Sequence, residues 1–182
     1  MKKNEKGFAL PLSIMLLVVM TLMGATLISM VSSDIKSNES RDTSSQAFYA
    51  AESGISMAKQ YLKTATQYNL GNNPNVKFCK TDYFPILKKG TVKTINNHVE
   101  RRNLNEVISA SGQELKRIQK FSYEYFITNS PDKDGNTSSK QKFGTKLDHY
   151  TIFACGCDDT KTNCRSQNNT IVTLEAVVTI IE

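Results

Sequence analysis

Four cysteines, Cys79, Cys155, Cys157 and Cys164, are the residues of this 182-residue chain best suited to covalent chemistry. An even count in a small domain fits disulfides, the bonds that oxidising, extracytoplasmic compartments permit. Cys155 and Cys157 flank a single glycine, too tight a loop to close on itself without strain. Cys79 therefore reaches one of them and Cys164 the other. The same thiols could instead serve zinc, but only Cys79, His98 or His149 could complete such a site, and none stands at tight ligand spacing. The reading taken forward is disulfides, with no metal and no cofactor.

Three other constellations are weaker. Ser130, Asp132 and Asp134, with Gly135 at the turn, resemble the start of a calcium loop, but the twelfth place falls on Gln141, which cannot supply the bidentate carboxylate. The segment reads as a polar hairpin loop. His98 and His149 lie far apart in strand-like segments, with no Ser or Cys placed to be a nucleophile, so the chain is read as a non-enzyme. Glu100 and Glu106 sit among Arg101, Arg102 and asparagines, as on a solvated surface. Lys88, Lys89, Arg101, Arg102, Lys116, Arg117 and Lys120, with Tyr123 and Tyr125 nearby, could neutralise phosphates and stack bases. Strand alternation sends those tyrosines into the core instead, so nucleic acid is a secondary reading.

The elements that carry these residues divide the chain in two. A mean hydropathy of −0.38 averages a greasy N-terminal run and a polar remainder. Phe8 to Val31 contains no charge and, at about 1.5 Å per residue, spans a hydrocarbon core of about 30 Å as a helix. Lys2, Lys3 and Lys6 precede it and Asp34 is the first charge after it, which places the N-terminus in the cytoplasm and the domain outside. A secretory signal is the competitor, but the run is long for one and no clear A-x-A site follows. The net charge of +6 would fall by about two on loss of the basic leader, leaving a mildly basic surface.

Past Val31 the apolar residues thin to helical spacing: Ile35, then Ala47, Phe48, Ala51, Ile55, Ala58, Leu62 and Ala65. DIKSNESRDTSSQ, from Asp34 to Gln46, is polar nearly all round, as in a solvated stretch of the same helix; a loop is the alternative. Asn69 to Pro74 ends the helix, which unbroken from Leu10 to Ala65 would run on the order of 80 Å. Beyond Pro74 the pattern shortens to period two over Thr91–Val99, Asn105–Ser111, Arg117–Thr128, Asp148–Cys155 and Thr170–Ile181. In the last, Val172, Leu174, Ala176, Val178 and Ile180 form one apolar face against Thr173, Glu175 and Thr179. Lys89-Gly90, Ser111-Gly112 and Asn129 to Asn136 carry turn chemistry. The fold class is α+β: one long N-terminal helix packed on a small antiparallel sheet, whose core face covers Phe48, Ile55, Ala58 and Leu62.

A short basic leader ending in Gly7, then Phe8 and an apolar helix, an amphipathic continuation and a β-rich domain with C-terminal cysteines together resemble a type IV prepilin or pseudopilin. Phe48-Tyr-Ala-Ala-Glu-Ser-Gly-Ile55 resembles the A-A-E-x-G/A segment of PilX-type minor pilins of Gram-negative bacteria, with Ala50, Ala51, Glu52 and Gly54 in the motif places. The resemblance covers about the first 60 residues. It implies cleavage between Gly7 and Phe8 by a membrane aspartyl prepilin peptidase and N-methylation of Phe8; a residue without Cβ also suits a narrow protease cleft. It further implies residues 1–7 as leader, 8–33 as transmembrane and assembly helix, 34–68 as its amphipathic continuation and 69–182 as the globular domain. Partners would be major and minor pilins, the peptidase and the inner-membrane assembly platform, with the protein passing from the inner membrane to the pilus.

One departure narrows the reading. Major pilins carry a glutamate at the fifth residue after the cut, where this chain has Leu12 behind Pro11. A buried carboxylate of that kind is costly in hydrocarbon unless it is paired. Subunits without it are associated in the family with tip or initiating complexes, which points to a minor pilin. A minor pseudopilin of a type II secretion system, a DNA-binding pilin of an uptake pilus and an unprocessed membrane-anchored binding protein are the competing readings.

Overall fold

A 56-residue helix, α1 (Ala9–Thr64), comes first. The computed structural model describes residues 9–65, 70–71, 74–89, 93–130, 140–142, 145–159, 164 and 169–181, so Gly7, Phe8 and most of the 130–136 loop lie outside the described residues. The chain divides into two units, Met1–Asp42 and Thr43–Glu182. The polar run from Asp34 to Gln46 is helical throughout, not a loop. Pro11 falls in the first turn of α1, where its missing N–H has no acceptor to serve.

In the second unit the strands are β1 (Leu70–Gly71), β2 (Thr94–Asn103), β3 (Ser122–Asn129), β4 (Lys140–Lys142), β5 (Thr145–Cys157) and β6 (Ile171–Ile181). They form one antiparallel sheet in the order β1-β2-β3-β5-β4, with β6 also on β5. The expected strand over Asn105–Ser111 is absent. Leu104–Glu106 is a 3-10 turn, and the N–H groups of Val107 and Ile108 both reach Leu104 O. Those backbone groups are satisfied locally, and Val107 and Ile108 point outward. Gly112 follows with φ +64° and starts a short helix, α2 (Gly112–Ile118), so the next strand begins at Ser122 rather than at Arg117.

Every residue of β3 is buried, because both faces of the sheet are covered. Tyr123, Tyr125 and Ile127 of β3, with Tyr150, Ile152 and Ala154 of β5, pack with Ala47, Ala50, Ala58 and Leu62 of α1. On the opposite face Phe126, Phe153, Cys155 and Cys157 pack with Phe78, Cys79, Phe84 and Cys164. A sheet read from its last strand as half-solvated is thus buried on two sides at its centre, since the 75–89 segment folds back over it.

Candidate functional site

Leu10 to Val31 present their large apolar side chains outward; Leu10, Ile28 and Met15 are 70%, 70% and 72% exposed. The best 18-residue window has a mean hydropathy of 2.4 and none of it is buried, so the helix is long and apolar enough to cross a membrane. Its hydroxyls do not oppose that. Ser13, Thr21, Thr26 and Ser32 donate to the carbonyls of Leu10, Val18, Met23 and Ile28 at 2.8–2.9 Å, which satisfies them within the helix. No acid stands in the first turn, where Leu12 is exposed.

The second unit shows what the A-A-E-S-G motif does physically. Ala47, Ala50, Ala51 and Ala58 are fully buried against the sheet, while Glu52 is exposed. A Cβ on Gly54 would meet Tyr123 Cδ2 at 3.1 Å and Ala154 Cβ at 3.4 Å. Across the seam, a Cβ on Gly156 of β5 would lie 1.8 Å from Ala47 O and 2.6 Å from Ala51 N. Small residues on both surfaces let the helix backbone lie directly on the sheet backbone. Ala58 and Leu62 are buried on the expected face and Ile55 packs beside them, but Phe48 does not belong to it. Phe48 is 42% exposed and Tyr49 60% exposed, because a close seam admits alanine and glycine and turns the large residues out.

On the far face the structure pairs Cys79 with Cys155 and Cys157 with Cys164, with Cα separations of 5.4 and 6.0 Å. All four thiols are spent in these bonds, which overturns the zinc alternative. Beside the first bond lies a residue that sequence reasoning missed. Glu124, fully buried in β3, accepts hydrogen bonds from the backbone N–H groups of Lys77, Phe78 and Cys79 at 2.7–3.0 Å and from Arg101 Nε at 3.0 Å. Glu124 is the register partner of Cys155, so one carboxylate and one disulfide fasten the same loop to the same place in the sheet. The available signal was an acid at an inward position of the apolar alternation Tyr-Glu-Tyr-Phe, since such a charge needs several donors when buried.

Between α1 and β2 a polar cluster closes the seam. A register shift between Thr94 and Val99 lets both Ile95 and His98 meet the helix-facing core. The His98 ring stacks on Tyr61 and its Nε2 lies 3.0 Å from Tyr125 Oη, which donates to Glu100 Oε2 at 2.6 Å. With that proton committed to Glu100, the phenol oxygen is left as the acceptor for Nε2–H of His98. Burial lowers the His98 pKa against a smaller opposing effect of Glu100. Burial raises Tyr125, helped by its bond to Glu100, and pushes Tyr123 up to about 12 with Glu100 adding to it. Arg102 Nε lies 2.5 Å from Glu100 Oε1, but off the axis of an aligned hydrogen bond, so the contact is an ion pair only.

This geometry removes the base-stacking platform. Tyr123 and Tyr125 are fully buried, Arg101 is engaged by Glu124 and by Asn75 O, and Arg102 by Glu100. Nor are Glu100 and Glu106 a simple solvated pair, since Glu100 is half-buried and accepts from Tyr125 Oη. His149 is an exposed residue of β5 and meets Thr179 Oγ1 at 2.9 Å, apart from His98.

Residues 6–56 match the family model described as PilX N-terminal. The N-terminal segment is similar to that of PilX-type pilins. The match takes in Gly7, Phe8, Leu12 and the Ala50–Gly54 motif and ends before the first strand, so the sheet, both disulfides and Glu124 lie outside it. Neither the curated proteins nor the solved structures yield a match to the chain. PilX-type pilins are structural proteins with a role in pilus biogenesis, and an exposed apolar helix at the N-terminus fits a membrane-anchored member.

Proposed function

We propose that this chain is a minor type IV pilin. Residues 1–7 are the leader, cut after Gly7, and Phe8 becomes the N-methylated first residue. Residues 8–33 hold the protein in the inner membrane and later pack among the helices of a pilus or its priming complex. Residues 34–68 carry that helix on, as far as Thr64, towards the globular domain, and 69–182, with two disulfides, stand on the periplasmic side and then at the cell surface. Partners are the prepilin peptidase, the assembly platform and neighbouring major and minor pilins.

The observation that carries this reading is Leu12. Within the segment matched to PilX-type pilins, an exposed apolar helix has a leucine where a fibre subunit needs its acid. A subunit without the carboxylate offers its N-terminal amine to a neighbour but nothing to the neighbour's amine, which suits a tip or initiating position.

Intact-mass analysis of protein from cells with active prepilin peptidase is expected to show loss of Met1–Gly7 and gain of one methyl group. Retention of the leader would refute processing as a pilin. Deletion is expected to abolish surface fibres and leave exoprotein secretion intact; the reverse outcome would assign the chain to a secretion system.

A further inference from the structure

β6 (Ile171–Ile181) stands out as an edge. It is 11 residues long, pairs in unbroken register with β5, and has no other partner among the described residues. Its outer backbone groups are therefore a template for another strand. Exposed edges are ordinarily blunted by Lys, Pro, a bulge or brevity, and β6 has none of these; Glu175 is its one charge.

We propose that β6 pairs antiparallel with β6 of a second copy of this chain, Ala176 opposite Ala176. The sequence Ile-Val-Thr-Leu-Glu-Ala-Val-Val-Thr-Ile-Ile reads nearly alike in both directions about that residue. The centred register sets Ile171 against Ile181, Val172 against Ile180, Thr173 against Thr179 and Leu174 against Val178. Every apolar residue of the half-buried face then meets an apolar residue, and the threonines of the exposed face meet each other. Glu175 faces Val177, which is 65% exposed, whereas centring on Glu175 would oppose two like charges.

The surroundings of β6 fit the same occupant. Ser44, Ser45, Phe48 and Tyr49 of α1 and Val172 of β6 line an apolar groove of about 350 Å³. The residue set opposite Val172 is Ile180 of the second copy, so its side chain enters this groove, and the two-fold axis repeats the contact. That axis is normal to the sheet and reverses every direction in its plane, including that of the α1 residues on it.

Sedimentation of the full chain in detergent, disulfides intact, tests this with paired substitutions at exposed Val177. Val177→Lys places a cation opposite Glu175 and is expected to lower the dimer dissociation constant about fivefold, although lysine on an edge strand ordinarily blocks pairing. Val177→Glu is expected to raise it by a similar factor. In parallel, an equimolar mixture of Thr173→Cys and Thr179→Cys chains should form a disulfide heterodimer on mild oxidation, while neither variant alone cross-links. A chain that is monomeric at all concentrations, an association insensitive to both Val177 variants or weakened by both, or cross-linking of either cysteine variant alone would each overturn the proposal.

Discussion

Gly156→Ala adds one methyl group where α1 lies closest to β5. The new Cβ would sit 1.8 Å from Ala47 O, 2.6 Å from Ala51 N and 2.9 Å from Ala47 C, all helix backbone that no rotamer change can move aside. To restore a 3.4 Å contact the helix must retreat by about 1.5 Å. Gaps of about 0.5–1 Å already forfeit a quarter to a half of a dispersion contact, so Ala47, Ala50 and Ala51 would lose much of their packing together. The cost belongs at the upper end of the overpacking range, about 3 kcal/mol, or a fall in Tm of about 6–12 °C for a domain of this size.

Gly54→Ala is the internal comparison. Its Cβ meets a tyrosine ring atom at 3.1 Å, which asks for a shift of only a few tenths of an ångström, and alanine regains about 1 kcal/mol of helix propensity. The net change should stay within about 1 kcal/mol. Near-UV circular dichroism reads the melt, since buried Tyr123 and Tyr125 report the packed domain while the apolar half of α1 remains helical in detergent. Gly156→Ala melting within about 2 °C of the parent would refute the close helix seat.

Three further outcomes follow from the far face and the polar cluster. Removing Cys79–Cys155 by a double alanine substitution frees a loop of sequence separation 76 and should cost about 4 kcal/mol, against about 2 for Cys157–Cys164 with separation 7; denaturant melts of the two double variants rank them. Glu124→Gln puts an amide donor among four existing donors, so a loss of about 2–3 kcal/mol is expected, with faster hydrogen exchange at the amides of 77–79. Exchange unchanged there would show that the carboxylate does not hold the loop. The folded-state pKa of His98 is depressed, so the unfolded chain binds the proton more readily. Its contribution is complete above the unfolded value of about 6.5 and is lost as pH falls below it towards the folded value; His98→Gln should flatten stability against pH across that window.

The apolar helix was legible because 24 uncharged residues after a lysine-rich start leave few alternatives, and the family motif because it lies in contiguous sequence. The strands of β2, β3, β5 and β6 were legible from alternation, though Asn105–Ser111 shows the same composition serving a turn once local carbonyls satisfy its backbone. Cysteine spacing narrowed the disulfides to two pairings, and three-dimensional proximity selected Cys79 with Cys155.

Sequence alone determined what is local: the length of the membrane-compatible helix, the absence of an acid at Leu12, the small residues of Ala50 to Gly54 and the likeness of β6 to its own reverse. Tertiary structure decided what depends on distant residues meeting. It turned Phe48 outward, made Gly156 the contact point of helix and sheet, placed Glu124 beneath a loop more than 40 positions away and left β6 at an edge. The physical reason is that propensity and periodicity act along the chain, whereas burial of a charge or contact of two backbones is set by which remote segments share a surface.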